Sequence, residues 1–121
     1  RDECYVEDGG GHTHTSDIDS FCIYQDEPMS RAVLGLWLAD SMRDNGAGLL
    51  RVKGLINVAG TPRPVIIHGV QHRLYPPAYL DHWPLADPRS RIVFVMRGLG
   101  REVLEAALIS VKERLQSVSS A

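Results

Sequence analysis

The stretch from Leu49 to His72, LLRVKGLINVAGTPRPVIIHGVQH, constrains the fold most strongly. It reads as two β-strands joined by a turn at Gly60-Thr61-Pro62. Alternate side chains of a strand face opposite ways, so one face of the first strand is predicted to be apolar and to consist of Leu50, Val52, Ile56 and Val58. The other face is then formed by Arg51, Lys53, Leu55 and Asn57. The apolar face must be buried in a core. The face with Arg51 and Lys53 presents two cationic side chains to solvent, to a ligand or to another domain.

The composition sets the size and general class of the domain. With 121 residues, the chain is long enough for one domain that buries about two-thirds of its unfolded surface. A hydrophobic content of 44%, a charged content of 23% and a net charge of −2 are typical of a soluble globular protein and do not favour a nucleic-acid partner. The chain has no apolar run long enough for a transmembrane helix, and its polar beginning is no signal peptide. We therefore expect a cytoplasmic protein with no membrane partner.

Residues 1–16 have the composition of a flexible linker. They are polar, acidic and glycine-rich, with three successive glycines. The motif His12-Thr13-His14 in this linker offers two imidazoles to a divalent metal, although solvated linker histidines are the simpler explanation. The chain does not begin with methionine, which favours the C-terminal part of a longer protein.

The two cysteines, Cys4 and Cys22, form no CxxC pair, and one pair in a chain of this size is not a disulfide framework. We expect both to be reduced thiols. Cys22 falls in the first predicted strand, residues 18–24, where we expect it to belong to the core.

The remaining chain predicts two helices, a third long strand and a loop. Apolar residues at three- and four-residue spacing predict amphipathic helices over residues 28–43, with Trp37 in the core stripe, and over residues 101–116. Residues 92–96, IVFVM, predict a buried strand. The prolines of residues 73–90 predict a long structured loop that includes an edge strand. Aromatic residues of this loop either take part in recognition or seal the end of the sheet; they are Tyr75, Tyr79, His82 and Trp83.

This order of elements predicts an α+β fold. We expect two layers, namely a mostly antiparallel four- to five-stranded sheet and two helices packed on one of its faces. The predicted domain boundaries are a linker over residues 1–16, a folded domain over residues 17–116 and a frayed tail over residues 117–121. Arg51 and Lys53 then lie on the sheet face that the helices leave uncovered.

No catalytic motif occurs in the sequence. It contains no GxxxxGK[ST], HExxH, GxSxG or CxxC, and a turn explains the GxG at residues 98–100 before the last helix. His68 and His72 share a strand face, where they either meet His82 or form hydrogen bonds at the strand end. We expect this chain to have no enzymatic activity of its own.

Several motifs, in order along the chain, resemble the C-terminal domain of the CobW family of P-loop GTPases. They are HTHTSDIDSF, LLRVKG, VIIHGVQH, the Pro76-Pro77 loop that ends in Trp83-Pro84, and SRIVFVMRG. The resemblance runs from about His12 to Leu115. The chain departs from the family in having Tyr75 before the two prolines, where close relatives have histidine, and Gly100-Arg101 where an acidic residue usually opens the last helix.

The resemblance implies a noncatalytic accessory domain of a GTPase involved in cobalamin biosynthesis or in the delivery of zinc or cobalt. GTP and Mg²⁺ would bind only a preceding P-loop domain, and this domain would require no cofactor. Its implied partners are its own GTPase domain and a metal-receiving client protein. We assign Arg51, Lys53 and Gln71 to the interaction face. The alternative is direct binding of zinc or cobalt by His12 and His14.

Overall fold

The computed structural model describes residues 18–45, 47–71, 73–84, 86–98 and 100–120. Its strands and helices, in chain order, are β1 Ile18–Gln25, α1 Arg31–Asp44, β2 Leu49–Ile56, β3 Val65–Val70, β4 Arg73–Leu74, β5 Ala78–Tyr79, β6 Ser90–Arg97 and α2 Arg101–Ser120. The predicted α+β class is confirmed. The second helix continues past the predicted end at Gln116 to Ser120.

The six strands form one sheet in the order β1-β6-β2-β3-β4, and β5 also pairs with β3. All pairings between these strands are antiparallel. The two-residue strands β4 and β5 lie in the proline-rich stretch and supply the edge strand that the sequence predicts there. The turn between β2 and β3 contains Gly60 with a φ of 82°, a backbone conformation that glycine adopts without steric cost.

The core lies between one face of the sheet and the two helices. It contains apolar side chains of α1 and α2 together with alternate residues of the long strands, among them Ile23, Trp37, Val52, Ile56, Phe94 and Leu104. Trp37 is fully buried; its ring meets Phe94 edge-on at a centroid distance of 5.6 Å, and its Nε1 donates a hydrogen bond of 2.9 Å to the carbonyl oxygen of Leu104. Trp37 thus connects α1 both to the sheet and to α2.

The first helix begins at Arg31 rather than at the predicted Pro28 because the chain before it belongs to the sheet layer. Met29 forms backbone hydrogen bonds with Asn57 and Ala59 beside the end of β2. Ser30 is the N-cap, and its Oγ accepts a hydrogen bond of 3.1 Å from the amide of Val33. Because the backbone of Met29 forms these sheet-like hydrogen bonds, the helix can begin only at a later residue.

An ion pair joins the two helices at their surface. Asp40 of α1 accepts hydrogen bonds from Arg114 of α2 and from Arg43 one turn along α1. The hydrogen bond from Arg114 is the main reason that the pKa of Asp40 lies below its ordinary value, whereas burial of the carboxylate acts in the opposite direction. The pair therefore holds its charge through the neutral pH range.

A β-bulge changes the predicted faces at the beginning of β2. The register of β2 against β6 shifts between Leu49 and Arg51, so that Leu50 is the extra residue. Leu49 is buried in the core and Leu50 is only half-buried, which makes the prediction for Leu50 wrong. After the bulge the predicted alternation holds, with Val52 and Ile56 in the core and with Arg51 and Lys53 on the other side.

Cys22 differs from its prediction in both environment and chemical state. Its neighbour Ile23 is buried in the core, so Cys22 lies on the opposite side of β1, where it is half-buried. Cys22 is disulfide-bonded, and no free cysteine occurs among the described residues. The prediction of a reduced thiol was therefore wrong for Cys22, and Cys4 lies outside the described residues.

Candidate interaction face

The sheet has a second face, on the side away from α1 and α2. Core residues of β6 are Ile92, Phe94 and Met96, so alternation places Arg91, Val93 and Val95 on this second face. The strand registers then define which residues of neighbouring strands lie side by side there. Residues that pair across neighbouring strands form a row that crosses the sheet. Because neighbouring strands are about 4.8 Å apart, the side chains of one row lie within contact distance of each other.

The middle row of the second face crosses four strands. Cys22 of β1 pairs with Val93 of β6, which pairs with Lys53 of β2, which in turn pairs with His68 of β3. Val93 is 5% exposed, whereas Cys22, Lys53 and His68 are half-buried. The row therefore sets an apolar residue between a disulfide-bonded cysteine and a lysine.

The next row adds further positive charge. Ser20 pairs with Val95, which pairs with Arg51, and Arg51 pairs with Val70. Val70 pairs with Arg73 of β4, which extends the row to the edge of the sheet. Arg51 and Lys53 are two residues apart on β2, so the structure brings both predicted cations together on the second face. Arg73 contributes a third cation from a different strand.

Two stacked rings lie beside these cations, at the β4 edge of the sheet. The rings of His68 and Tyr75 stack with a centroid distance of 5.2 Å and an interplanar angle of 27°. The guanidinium carbon of Arg73 lies 5.2 Å from the centroid of the Tyr75 ring. Tyr75 remains 37% exposed. The ring packs on the end of the sheet and is also part of the protein surface.

A buried arginine occupies the third row. Arg91 is 2% exposed and pairs with Tyr24 on one side and Leu55 on the other. Its Nη2 donates a hydrogen bond of 2.9 Å to the carbonyl oxygen of Asp87 and lies 3.3 Å from Asp87 Oδ2. A hydrogen bond from the backbone amide of Arg89 lowers the pKa of Asp87, so the carboxylate beside Arg91 stays charged.

Gln71 lies at the turn that follows β3. Its φ of 53° is in the left-handed region, where residues other than glycine are uncommon. Its amide donates a hydrogen bond of 3.1 Å to the carbonyl oxygen of Leu50. The structure therefore holds the backbone of Gln71 beside Arg51, at the same end of the sheet, and its side chain is exposed.

The predicted histidine site cannot be compared with the structure. His12 and His14 lie outside the described residues, as does His72. Across the described part of the chain, no group of three or more His, Cys, Asp or Glu side chains is placed to hold a metal ion. His68 belongs to the second face, because its ring stacks on that of Tyr75 and it pairs with Lys53 of β2.

Sequence reasoning missed His68, Arg73 and Tyr75 as parts of this face. The side of the sheet on which Arg73 and Tyr75 lie depends on the tight turn after Val70, which no periodicity reveals. For His68 a signal exists, because its alternation with the apolar residues Val65 and Ile67 places it opposite the core. Its position beside Lys53 additionally requires the strand register.

Comparison with known proteins identifies the family of the chain. The model of the C-terminal domain of cobalamin synthesis protein CobW matches residues 18–112, which include all strands and most of α2. The chain belongs to the CobW C-terminal domain family. The resemblance deduced from the sequence motifs is confirmed.

This CobW C-terminal domain spans about 30% of the length of the relatives that it matches. The zinc chaperone YjiA of Escherichia coli (strain K12) is 28% identical over 98 residues, which are 81% of this chain and 30% of YjiA. A crystal structure of Zn(II)-bound YjiA GTPase from E. coli matches with a TM-score of 0.70 and 25% identity, covering 78% of this chain and 30% of that one. A Zn(II)-bound triple mutant of YjiA matches equally well. Within the described residues of this CobW C-terminal domain, no helix is long and apolar enough to cross a membrane.

Proposed function

We propose that this chain is the noncatalytic accessory domain of a GTP-dependent metal-delivery protein. Membership of the CobW C-terminal domain family supports this proposal, together with the match to 30% of a relative described as a zinc chaperone and of structures described as a GTPase. The parent protein would hydrolyse GTP with Mg²⁺ in another domain and deliver zinc or cobalt, in the cytoplasm where GTP is available. The cobalamin connection rests on the family name alone.

We propose further that the second face is the docking surface of this domain. The observation that carries this proposal is the grouping of Arg51, Lys53 and Arg73 beside the exposed ring of Tyr75, with Gln71 at the same end of the sheet. Arginine and tyrosine are enriched in protein interfaces because each combines a large contact area with specific polar groups. The positive charge favours an acidic surface, either of the parent's GTPase domain or of a client protein.

Docking on the GTPase domain would couple this face to the bound nucleotide. A contact between two domains of one chain benefits from a high effective concentration, so modest affinity is sufficient. If the face binds the GTP state and the GDP state with different affinities, hydrolysis shifts the docked population by that difference in free energy. A client that competes for the same face would then be bound or released according to the nucleotide.

Reversal of two charges tests the docking surface. We expect the double variant Arg51→Glu, Lys53→Glu to weaken binding to the separately expressed GTPase domain of the parent protein by at least about tenfold. The variant Arg101→Glu, Lys112→Glu is the matched control, because it makes the same charge change on exposed positions of α2. Binding can be measured by calorimetry at two salt concentrations. Equal affinity of both variants and of the wild type would remove the second face from the proposal.

A second candidate function is direct binding of the metal cargo by His12 and His14. The observation that favours it is that the matching YjiA structures contain Zn(II). Two imidazoles alone make an incomplete site, because zinc in proteins usually has three or four protein ligands.

Titration of the chain with zinc and with cobalt tests this second function. If the histidine pair binds metal, we expect micromolar affinity that is lost in the variant His12→Ala, His14→Ala. The control is His82→Ala, which removes an exposed histidine elsewhere and should leave the titration unchanged. Binding that survives the double substitution would assign the metal to other residues, and absence of binding would leave docking as the function of the domain.

A further inference from the structure

Residues 73–80, which we call the edge segment, form the outer border of the sheet beside β3. The two short strands of this segment, β4 and β5, both run antiparallel to β3; β4 pairs with the end of β3 and β5 with its beginning. Pro76 and Pro77 lie between them. Residues 73–79 are all exposed, and Leu80 is half-buried. The edge segment is therefore a continuous stretch of accessible surface.

Two residues of the edge segment direct their backbone groups away from β3. In an antiparallel pair of strands, residues that exchange hydrogen bonds alternate with residues that do not. The amides of Tyr75 and Leu80 donate hydrogen bonds of 2.9 Å and 3.0 Å to carbonyl oxygens on the β3 side. Leu74 and Tyr79 each precede one of these residues, so their N–H and C=O groups point outward.

The outward groups of Leu74 and Tyr79 lie at an open border of the sheet. Within the described part of the chain, β4 and β5 pair with no strand other than β3. An unpaired border of this kind can add another strand, but the two prolines between Leu74 and Tyr79 have no N–H to offer it. An added strand must therefore pair at two separate places and need no donor between them.

A second copy of the edge segment meets both requirements. If two copies lie antiparallel about an axis between Pro76 and Pro77, Leu74 of each copy lies opposite Tyr79 of the other. Both pairs can form together, because the separation of Leu74 and Tyr79 is the same in the two copies. Pro76 of each copy then lies opposite Pro77 of the other, where neither residue supplies a donor. Such reciprocal pairing is what a two-fold axis requires.

The side chains of the two pairs also match. Leu74 is 44% exposed and Tyr79 is 42% exposed. Tyr79 pairs with the core residue Val65, and Leu74 pairs with Gly69, which pairs with the core residue Val52. Both side chains therefore lie on the side of the sheet that faces the helices. In the two-fold arrangement each ring lies beside a leucine, and aromatic and aliphatic residues are favourable neighbours across strands.

Opposite charges approach each other on the second face. The same arrangement places Arg73 opposite Leu80 of the second copy, so that Asp81 of that copy is one residue further along. The side chain of Asp81 is 90% exposed, and its contact with Arg63 of its own copy is 3.3 Å long. The Asp81 carboxylate can therefore accept a second arginine. The long side chain of Arg73 can span one residue along the neighbouring strand.

We propose that this chain forms a two-fold symmetric homodimer through the edge segment, in which Leu74 of each copy pairs with Tyr79 of the other. The axis is perpendicular to the sheet, so the sheets of both copies become one continuous sheet. Both second faces then point in the same direction, side by side. A docking partner that is itself dimeric, or that has two acidic sites, can occupy both faces at once.

The contact is small, so we expect a reversible dimer. Two short edge segments bury less surface than a standard protein interface, which places the dissociation constant on the order of 10 µM. Sedimentation velocity of the 121-residue protein from about 1 to 200 µM measures the equilibrium. The sedimentation coefficient should rise from that of a monomer to that of a dimer over this range.

Substitution of Leu74 tests the position of the contact. Lysine on a border strand opposes strand addition, so Leu74→Lys should raise the dissociation constant of the dimer by at least about tenfold. Ile109→Lys is the matched control, because it makes the same change at a 56% exposed residue of α2. Circular dichroism shows whether each variant is folded. A chain that stays monomeric up to about 200 µM, or a dimer weakened equally by both substitutions, would overturn the proposal.

Exchange of two charges tests the register of the contact. Arg73→Asp alone and Asp81→Arg alone each place like charges together, and each should weaken the dimer by at least about threefold. The double variant Arg73→Asp, Asp81→Arg restores opposite charges and should recover wild-type affinity to within about twofold. A double variant as weak as the single ones would exclude this register. None of these measurements involves a GTPase domain, so the result does not depend on the docking test.

Discussion

Replacement of Trp37 by alanine is expected to lower the free energy of unfolding by about 3–5 kcal/mol. Trp37 is fully buried at the junction of both helices with the sheet. Its removal leaves a cavity that the rigid sheet cannot fill, and α2 loses the hydrogen bond from the indole to the carbonyl oxygen of Leu104. Chemical denaturation followed by circular dichroism measures the change. Because the folded state of a domain is typically stable by only about 5–15 kcal/mol, this loss removes a large part of the stability and should lower the unfolding temperature clearly.

Two further variants separate the parts of this effect. Leu36→Ala removes an apolar side chain from the neighbouring position, which is 39% exposed, and should change stability by less than about 1 kcal/mol. Trp37→Phe keeps a ring beside Phe94 but loses the indole donor, and should be intermediate. A loss in Leu36→Ala as large as that in Trp37→Ala would show that the tertiary role assigned to the indole is incorrect.

Replacement of Gly54 by valine is expected to cost about 2–3 kcal/mol of stability through overpacking. Gly54 lies in β2 between Ile67 of β3 and Ile92 of β6. A Cβ atom at this position would be 3.0 Å from Ile92 Cγ1, 3.2 Å from Ile67 Cγ1 and 3.2 Å from the carbonyl oxygen of Arg91. The backbone oxygen cannot move without disturbing the strand pairing, and the two methyl groups of valine increase the crowding.

Gly35→Val is the matched control for this substitution, because it adds the same atoms in α1 where no heavy atom lies within 4 Å of the new Cβ. Valine is a slightly better helix former than glycine, so we expect a change within about 0.5 kcal/mol. Both variants can be compared by urea denaturation. If the two glycine substitutions were equally tolerated, close packing across β3, β2 and β6 would not be the reason for a glycine in β2.

The elements with strong periodicity could be predicted from the sequence, and those decided by local contacts could not. The stripe of α1 predicts Trp37 as a core residue because a helix with one apolar face can bury it only against the sheet. The actual beginning of that helix depends on backbone hydrogen bonds of Met29 to a distant turn. The bulge at Leu50 likewise has no periodic signal, since one additional residue changes the pairing without changing the apolar composition.

The candidate face was predictable in part. Alternation along β2 was sufficient to place Arg51 and Lys53 on the same side of the sheet. Their neighbours Val93, His68 and Arg73 are set by how β6, β3 and β4 pair with each other and with β2. The spacing of residues along one strand does not reveal this pairing. The disulfide bond of Cys22 was mispredicted because the number and spacing of cysteines do not reveal which residues meet in space.

The pairing of β1 with β6 sets the earliest moment at which this sheet can be completed during protein synthesis. β1 pairs with no other described strand, and its partner begins at Ser90. At about 5–20 residues per second, synthesis of the chain between Gln25 and Ser90 takes about 3–13 s. Throughout that interval β1, which contains Phe21 and Ile23, has no partner strand and cannot join the sheet. The nascent chain therefore carries an apolar strand without its sheet partner for seconds, and a chaperone that binds extended apolar segments has its best opportunity there.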